Sequence, residues 1–284
     1  MPRVCAVVVT FNPDLERLRI ALNALRGQCD EVVVVDNASS VGSRPDAASM
    51  ALDRRSLVVN RRNEGLGAAL NAGARLALSR GATHLLFLDQ DSVPELNMVA
   101  RLLEALSRPA APPVGAAGPQ WIDLRTRQRG GEVNETADAE FLITSGMLVP
   151  TEVFGRVGPF DESLFVDSTD LEWCFRAKSM GYRFLSVAWA GLGHQLGDRP
   201  VRVFGRVLTG WTHHRPQRLY YMMRNRVLLY HRSYVPLRWK CYDVFRAFGK
   251  LLVFSVFFAP RLSNVRWMLA GLRDGLRGKA GPLD

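Results

Sequence analysis

The sequence predicts an α/β fold in which a mostly parallel sheet is flanked by helices. Three observations predict it: runs of apolar residues recur through the first ninety residues, helical patterns separate them, and polar residues follow each run. Runs that are apolar at every position are typical of parallel strands, which helices cover on both faces. A basic, amphipathic helical segment is predicted to follow this domain at the C-terminal end.

The first ninety residues alternate between predicted strands and helices. The predicted strands are residues 4–9, 31–35, 57–60 and 83–88. Between them, the leucines of residues 14–25 recur with a helical period, and the Ala- and Leu-rich residues 65–77 also predict a helix. This alternation favours parallel strands joined by helical crossovers.

The pattern is less regular after residue 95. Helices are predicted at 97–106 and 170–180, with Gly181 ending the second, and strands at 114–118, 140–149 and 182–188. Residues 191–210 are rich in Gly and Arg and are interpreted as a linker. We therefore predict one domain over residues 1–210, with halves 1–95 and 96–210, and a helical segment over 211–284.

Composition narrows the class of protein. The 284 residues are 48% hydrophobic and 23% charged, which suits one sizeable folded domain. The four cysteines are widely scattered, with neither zinc-site spacing nor a disulfide framework, as expected for a reducing cytoplasm. The longest apolar run of the C-terminal segment, residues 251–259, is far shorter than the roughly 20 residues of a membrane-spanning helix.

The positive charge is concentrated in the C-terminal segment. The chain carries a net charge of +10, and residues 201–284 hold 16 Lys and Arg against three Asp. Such a basic segment suggests an anionic partner, either nucleic acid or anionic lipid. Aromatic and aliphatic residues mixed with the basic ones over 239–267 favour a membrane surface, and packing on the main domain is the alternative. No nucleic-acid recognition motif is present, so we predict no nucleic-acid partner.

Polar side chains follow each of the four predicted strands. They are Thr10 and Asn12, Asp36 and Asn37, Asn60 and Asn63, and Asp89 and Asp91. Singly, such residues are most often helix caps or turn residues. The carboxyl ends of parallel strands meet at one edge of a sheet, so together they predict a nucleotide-binding crevice, in which Asp36 could accept hydrogen bonds from a base or ribose. Neither a GxGxxG fingerprint nor a P-loop lysine is present, which disfavours dinucleotide enzymes and ATPases.

The most informative motif is the acidic pair Asp89 and Asp91 after the apolar residues 85–88. Residues two apart on an extended chain point to the same side, so the two carboxylates can converge. Hard oxygen ligands suit Mg²⁺ or Mn²⁺, and through the metal a diphosphate. A polar turn after a strand is the alternative interpretation.

Other candidate residues also have two interpretations. Gly65 and Gly67 are explained by close approach of the backbone to a ligand or by a helix N-cap. Asp170 is either a helix cap or a general base that takes a proton from a hydroxyl nucleophile. His194 is either an ordinary polar residue or a further metal ligand. Arg218 and Arg224 are suited to a diphosphate, or belong to a solvated or lipid-facing helix.

The ordered set of motifs resembles family 2 glycosyltransferases of the GT-A fold. The resemblance covers about residues 1–230 and rests on residues 7–12, 34–39, 63–67, 88–92, 144–146 and 160–162. A finer resemblance, through residues 88–92, 165–174 and 213–226, is to the bacterial L-rhamnosyltransferases. That subgroup includes O-antigen rhamnosyltransferases and the enzyme that adds the second rhamnose of rhamnolipids.

The resemblance implies an inverting, metal-dependent enzyme that moves L-rhamnose from dTDP-L-rhamnose to a lipid-linked glycan. The implied roles are as follows: Thr10, Asn12, Asp36, Asn37, Asn63, Gly65, Asp89, Arg218 and Arg224 for the nucleotide sugar; Asp89, Asp91 and His194 for a divalent cation, Mg²⁺ or Mn²⁺; Asp170 as base; Ser145 and Gly146 on the acceptor side. Many members carry Glu-Asp at the base, whereas Thr169 precedes Asp170 here, which leaves Asp167 as a rival.

The implied location is the cytoplasmic face of the inner membrane, where the enzyme would act peripherally in O-antigen or surface polysaccharide synthesis. Alternatives remain: a UDP- or GDP-sugar donor on the same fold, since a fold does not settle a substrate, and a rhamnolipid-type enzyme with an amphiphilic acceptor. A non-catalytic sugar-nucleotide-binding protein is a further alternative.

Overall fold

The computed structural model describes residues 1–123, 136–194, 200–203, 206–212 and 214–283; at 121–123, 189, 194, 200–203 and 206–212 it describes the backbone alone. The strands are β1 Val4–Thr10, β2 Glu31–Asp36, β3 Leu57–Val59, β4 His84–Asp89, β5 Val93–Pro94, β6 Val114–Asp123, β7 Thr136–Ala139, β8 Met147–Pro150, β9 Arg183–His194, β10 Pro200–Val203 and β11 Arg206–Thr212. The α-helices are α1 Leu15–Arg26, α2 Leu66–Ser79, α3 Met98–Ser107, α4 Thr151–Val157, α5 Thr169–Ser179, α6 Pro216–Tyr230, α7 Leu237–Val256 and α8 Arg261–Leu276.

The main sheet has the order β3-β2-β1-β4-β8-β6-β9-β5, with β7 also paired to β9. The first four of these strands are parallel to one another, and β6 and β9 form a further parallel pair. Strands β8, β5 and β7 run antiparallel to their neighbours. The predicted α/β fold with helices around a large sheet is therefore confirmed.

Helices cover both faces of this sheet, which explains the uninterrupted apolar runs. In β1, Val4, Ala6 and Val8 pack with α1 and α3 on one face. Cys5 and Val7 point to the other face, where α2, α4 and α5 pack. Because six of the seven positions of the strand are buried and Val9 is partly buried, no polar alternation is left in its sequence.

The chain divides into two units. The first comprises Met1–Glu162 and Thr169–Gln195, and the second comprises Ser163–Ser168 and Leu196–Asp284. The division at residue 195 differs from the predicted boundary at 210, since β10 and β11 pair as an antiparallel ribbon within the second unit. The prediction of a linker is wrong over the described part of 191–210: β9 continues to His194, and Pro200–Val203 is a strand.

Strand placement also differs between residues 136 and 150. The prediction of a strand over 140–149 is wrong except for its last three residues, which belong to β8; β7 ends earlier, at Ala139, and residues 140–146 form a loop. Local composition did not reveal this break, because the loop contains apolar residues such as Phe141 and Leu142.

The second unit is built around α6, α7 and α8. Its core consists of Leu219, Met223, Phe254, Phe258 and Met268. The predicted basic helical segment is therefore present from Pro216 onwards. Across the described residues, none of the helices has both the length and the apolar character needed to cross a membrane.

Candidate active site

The carboxyl ends of β1 and β2 are joined by the buried carboxylate of Asp36. Thr10 and Asp36 are paired in the parallel register. Asp36 is 0% exposed and accepts hydrogen bonds from Thr10 Oγ1 at 3.0 Å, Ser39 Oγ at 2.5 Å and the Ser39 backbone N–H at 3.0 Å. Arg44 Nε lies 3.7 Å from Asp36 Oδ2, the oxygen that accepts from the Ser39 backbone N–H. A buried charge needs such partners, and these donors fix the loop that follows β2.

The loops after β1 and β2 are also tied to each other. The backbone N–H of Asn12 donates to Ser39 Oγ at 2.7 Å, and Asn12 Oδ1 accepts from the Ser40 backbone N–H at 2.9 Å. The structure thus brings Thr10, Asn12 and Asp36 together at one edge of the sheet, where the sequence predicts a pocket for the nucleotide.

A second network, of side-chain amides, connects the loops after β2 and β3. Asn37 Nδ2 donates to Asn63 Oδ1 at 2.8 Å and to the carbonyl of Gly65 at 3.2 Å. Asn37 Oδ1 accepts from Asn60 Nδ2 and from the backbone N–H of Glu64, both at 3.0 Å. Gly65 has a φ of +90° directly before α2, a conformation that favours glycine. Asn37, Asn63 and Gly65 are therefore joined in one hydrogen-bond network.

The acidic motif lies at the same edge of the sheet. Val9 pairs with Asp89 in the parallel register of β1 and β4, one position before Thr10. The backbone N–H of Phe11 donates to Gln90 Oε1 at 2.8 Å, which ties the loop after β1 to the acidic loop. Asp89 and Asp91 are both half-buried.

Ser145 and Gly146 lie beside the acidic loop. The hydroxyl groups of Ser92 and Ser145 share a short hydrogen bond, and Gly146 N–H donates to the carbonyl of Phe87 at 2.7 Å. Gly146 has a φ of +88°, and a Cβ there would lie 2.4 Å from Cγ of Pro119. Only glycine fits at this point, because both the conformation and the space exclude a side chain.

The donor set at the acidic loop fits a hard divalent cation. Mg²⁺ is commonly held by one or two carboxylates together with the phosphates of a substrate, and Asp89 and Asp91 supply two carboxylates. Among the described residues, no group of three or more His, Cys, Asp or Glu side chains is arranged to hold a metal. The backbone of His194 follows Gly193, which pairs with Val93 just after the acidic loop, but the His194 side chain lies outside the described part.

The predicted base occupies the first turn of α5. Asp170 is half-buried, and its Oδ1 accepts from the backbone N–H of Leu171 at 2.8 Å. Glu172 is 1% exposed and paired with Arg176 through contacts of 2.8 and 3.0 Å. Since that buried carboxylate is neutralised within its own helix, Asp170 is the better candidate for chemistry.

Gly67 lies inside α2 and allows it to pack closely on neighbouring backbone of the first unit. A Cβ at Gly67 would lie 3.1 Å from the carbonyl oxygen of Asp161 and 3.4 Å from the methyl of Thr169. Asn71, one turn later on α2, exchanges two hydrogen bonds with the backbone of Phe160 at 2.9 Å. Packing therefore accounts for Gly67, and α2 sets the position of the start of α5.

The two predicted diphosphate-binding arginines both lie in the second unit. Arg218 forms a bidentate ion pair with Asp167, the rival base, with contacts of 2.8–3.2 Å. Arg224 is 1% exposed and donates to backbone carbonyls, including that of Leu164 at 2.9 Å. Because Arg224 is enclosed in this way, we leave it out of the donor site proposed below.

Sequence reasoning missed several residues of these networks. Ser39 and Arg44 hold Asp36, and Ser92 bonds to Ser145. Ser39 could have been found, since a Ser three residues after an Asp is a frequent turn pattern. Ser92 bonds to a residue 53 positions away, so no local signal marks it.

Comparison with known proteins agrees with this arrangement. Residues 5–137 match the model of "Glycosyl transferase family 2". A dTDP-rhamnosyl transferase, RfbF of Shigella flexneri, is 30% identical over 98% of this chain and 97% of its own length. The chain belongs to glycosyl transferase family 2. An undecaprenyl-phosphate mannosyltransferase of Micrococcus luteus is 33% identical over 72% of this chain and 85% of its own.

Solved structures of the same fold are also similar to this glycosyltransferase. TarS of S. aureus, residues 1–349 in complex with UDP-GlcNAc, has a TM-score of 0.62 at 16% identity, over 98% of this chain and 81% of that one. GalNAc-T7 with UDP, GalNAc and Mn²⁺ has a TM-score of 0.60 at 15% identity, and this chain spans 56% of it. These similarities confirm the GT-A fold.

Proposed function

We propose that this glycosyltransferase transfers L-rhamnose from dTDP-L-rhamnose to a hydroxyl of a lipid-linked glycan, in O-antigen or other surface polysaccharide synthesis. The observation that carries the proposal is the similarity to a dTDP-rhamnosyl transferase over nearly the whole length of both chains. Because it extends through the second unit, the similarity covers more than the nucleotide-binding part of the fold.

In this proposal the donor binds at the sheet edge formed by the ends of β1, β2 and β4. Thr10, Asn12 and Asp36 shape the pocket for the base and ribose, together with the hydrogen-bond network of Asn37, Asn63 and Gly65. Asp36 acts here chiefly by fixing the loop, because Thr10 and Ser39 already occupy its carboxylate. Arg218, which is paired with Asp167, is a proposed contact for the diphosphate.

Asp89 and Asp91 would hold a divalent cation, with His194 as the proposed third ligand. When bound, such a cation stabilises negative charge on a departing nucleoside diphosphate. Two carboxylates that neutralise one Mg²⁺ or Mn²⁺ leave coordination positions for the phosphate oxygens of the donor. The experiment below therefore compares each donor with and without the metal.

Asp170 is the proposed base of a single displacement. Its carboxylate accepts the proton of the acceptor hydroxyl, whose oxygen forms a bond to the anomeric carbon. The bond from that carbon to the phosphate oxygen breaks, and its electron pair leaves with the nucleoside diphosphate. Attack from the opposite face inverts the anomeric centre. Ser145 and Gly146, beside the acidic loop, are the proposed acceptor side.

The enzyme is proposed to act while bound peripherally to the inner face of the cytoplasmic membrane. One side of α7 exposes an apolar stripe, Cys241, Phe245, Phe248, Leu252 and Val256, at helical spacing. Phe245 is 76% exposed and Phe248 68%. Exposed basic residues of the same helix, Arg238 and Arg246, complement an anionic lipid surface.

A second donor class has its own support. The similarity to an undecaprenyl-phosphate mannosyltransferase covers 72% of this chain, so a mannosyl donor on the same fold is the alternative. The two candidates differ in the base and the sugar of the donor, and direct binding distinguishes them.

The test of the donor is a thermal-shift panel with dTDP-L-rhamnose, UDP-glucose, UDP-galactose and GDP-mannose, each with and without Mn²⁺. A ligand of the native state raises the melting temperature with its saturation. We expect a metal-dependent shift with dTDP-L-rhamnose, which Asp91→Ala removes. A shift with GDP-mannose in its place would overturn the rhamnosyl donor.

Turnover tests the base. With dTDP-L-rhamnose and a lipid-linked glycan fraction from rhamnose-polymer-producing bacteria, the wild type is expected to release dTDP. Asp170→Asn should lower kcat by about 10²–10⁴-fold while it leaves the donor-induced thermal shift unchanged. Full activity of Asp170→Asn would refute the assignment, and Asp167→Asn tests the rival.

Vesicle binding tests the membrane proposal. Cys241 is exposed, Cys5 and Cys174 are buried, and Cys29 is partly exposed, so in a Cys29→Ser background an environment-sensitive fluorophore can be attached in the apolar stripe. We expect a blue shift with vesicles that contain phosphatidylglycerol, reduced by high salt and by Phe245→Ser with Phe248→Ser. Ile20→Ser, at an exposed apolar residue of α1, is the matched control. An unchanged spectrum with anionic vesicles would refute the proposal.

A further inference from the structure

Six residues in the middle of the chain belong to the second unit although both of their chain neighbours belong to the first. We call Ser163–Ser168 the strained segment. Three of its residues, Phe165, Asp167 and Ser168, have φ values of 63–65°. Residues other than glycine rarely adopt this left-handed conformation, because their Cβ then approaches a backbone carbonyl. Such a conformation persists only where surrounding groups hold it.

Asn225 of α6 makes the most direct contact with the strained segment. Its side chain is completely buried, and Nδ2 lies 2.9, 2.7 and 2.9 Å from the carbonyl oxygens of Leu164, Val166 and Asp167. The two N–H groups of one amide thus donate hydrogen bonds to three carbonyl oxygens. These bonds go to backbone atoms, so they specify the path of the segment rather than the identity of its side chains.

Arg224 fixes Asn225 and adds a further contact. Its Nε and Nη2 donate to Asn225 Oδ1 at 3.0 and 2.9 Å, which orients the amide. Nη2 also donates to the carbonyl of Leu164 at 2.9 Å, and Nη1 donates to the carbonyl of Gly281. Burial lowers the pKa of Arg224 from its usual value, but a guanidinium remains charged in proteins. The result is a charged, fully enclosed fork between the strained segment and the C-terminal residues.

Three more contacts support the same arrangement. The ring of Phe165 stacks on that of Tyr221, with centroids 5.1 Å apart and planes at 24°. The guanidinium of Arg224 lies 4.9 Å from the centre of the Tyr221 ring. The N–H of Gly281 donates to the carbonyl of Ser163 at 2.8 Å. The strained segment is therefore held at both ends and in the middle.

The strained segment leads directly into α5. Ser168 precedes Thr169, the first residue of the helix, and Asp170 follows it. The backbone direction at Asp167 and Ser168 therefore determines how the chain enters the turn that carries Asp170. Catalysis is sensitive to displacement of a reacting group by as little as an ångström.

We propose that Arg224 and Asn225 are positioning residues, which hold the strained segment in its left-handed conformation and thereby place the carboxylate of Asp170 for proton transfer. The inference rests on the proposed role of Asp170 as base. Neither residue touches the substrate in this proposal. They act through the peptide carbonyls of Leu164, Val166 and Asp167, and their loss is expected to affect the chemical step more than donor binding.

The experiment compares Asn225→Asp with Asn264→Asp in the full-length enzyme. Both asparagines are buried in the second unit, but Asn264 donates to the carbonyl of Phe258 at 2.9 Å and is remote in sequence from the strained segment. Each substitution replaces amide donors by carboxylate oxygen at constant size. We expect Asn225→Asp to lower kcat for dTDP release by about tenfold or more, with the KM for dTDP-L-rhamnose within about twofold.

The control variant should lose stability but keep kcat per folded molecule within about twofold of the wild type. Equal kcat for Asn225→Asp and the wild type, after correction for the folded fraction measured by circular dichroism, would overturn the proposal. Arg224→Lys is the second variant: it keeps the charge and loses the fork, and we expect it to lower kcat in the same direction.

A rescue variant distinguishes positioning from general damage. Glycine adopts the left-handed conformation without steric cost, so Ser168→Gly should restore kcat of Asn225→Asp by about threefold or more. No recovery of kcat, together with recovery of melting temperature, would mean that Asn225 acts on stability alone. If Asp170→Asn is fully active, the proposed base fails; if it is inactive while Asn225→Asp matches Asn264→Asp, only the positioning role fails.

Discussion

The sheet edge of the first unit and helix α6 of the second both hold irregular backbone with buried polar groups, but by different means. At the sheet edge, Thr10, Asp36 and Asn37 come from the ends of paired strands, and the parallel register brings them together. In the second unit, two neighbouring residues of α6, Arg224 and Asn225, donate hydrogen bonds to the backbone of the strained segment. Where several residues supply the hydrogen bonds, substitution of one peripheral residue is expected to have a small effect. Where only two residues supply them, substitution of either is expected to have a large effect.

The two units also differ in how they bury a charged side chain. Asp36 has three hydrogen-bond donors and a nearby arginine, so its carboxylate is well compensated. Lys250 of α7 is only 7% exposed, and its ammonium donates to the sulfur of Met222 at 3.4 Å. Burial, reinforced by repulsion from Arg226, lowers the pKa of Lys250 to about 7. The buried carboxylate of Asp36 is therefore expected to stabilise the fold, and the buried ammonium of Lys250 to destabilise it.

The largest effect is expected at the sheet edge. Asp36→Ala leaves the donors of Thr10 and Ser39 buried without an acceptor, which should lower the free energy of unfolding by about 3–5 kcal/mol. Donor-induced thermal stabilisation should disappear with the loop. Urea unfolding measures the change in the free energy of unfolding. An equally large decrease for Asp46→Ala, at an exposed aspartate, would contradict the prediction.

An effect of opposite sign and comparable upper bound is expected for Lys250→Met. The lowered pKa means that the native state releases its proton near pH 7, while the unfolded chain keeps it to about pH 10.5. Stability of the wild type should therefore rise with pH across this window, because the unfolded state binds more protons. Lys250→Met should be more stable at pH 7, by at most about 4–5 kcal/mol, with the gain shrinking towards pH 10.

The charged groups that act on Lys250 are Arg226, Arg218, Arg246 and Asp167. The difference between the wild-type and Lys250→Met slopes reports Lys250, because other groups are common to both proteins. Denaturant midpoints measured at half-unit pH intervals for both proteins provide the test. Parallel curves for wild type and Lys250→Met would show that Lys250 is not the titrating group.

The smallest effect on stability is expected for Gly67→Ala. Replacing a helical glycine by alanine usually gains up to about 1 kcal/mol, but here the new Cβ meets the carbonyl of Asp161 at 3.1 Å. The two contributions nearly cancel, yet the start of α5 must shift by a few tenths of an ångström. We expect an almost unchanged melting temperature and a reduced kcat.

Gly155→Ala is the matched control for Gly67→Ala. Gly155 lies within α4, and a Cβ there would meet no atom within 4 Å. It should gain stability from helix propensity and keep full activity. If both variants were equally active, the close packing of α2 would have no part in placing Asp170.

The contrast also explains what the sequence could predict. Strands β1, β2 and β4 were predicted to within a residue or two, because burial on both faces leaves a continuous apolar run. The acidic motif and the start of α5 were recognisable from local residues. Their convergence at one edge follows from parallel pairing alone, which is why Thr10, Asp36 and Asp89 could be placed together.

Long-range contacts account for what could not be predicted. Arg224 and Arg226 look in sequence like residues of a solvated basic helix, and nothing local indicates that Arg224 is enclosed while Arg226 pairs with Asp243. The ribbon of β10 and β11 interleaves strand-forming Val and Thr with Gly and Arg, so its composition resembles a linker. Membership of Ser163–Ser168 in the second unit depends on partners more than fifty residues away.

The separation of Ser163–Ser168 from Arg224 and Asn225 along the chain affects when their contacts form during synthesis. At translation speeds of about 5–20 residues per second, α6 is made several seconds after the segment that it holds. Gly281, which bonds to both Ser163 and Arg224, is made later still. A nascent chain on the ribosome therefore has strands β1, β2 and β4 of the first unit long before the contacts that hold the strained segment can form.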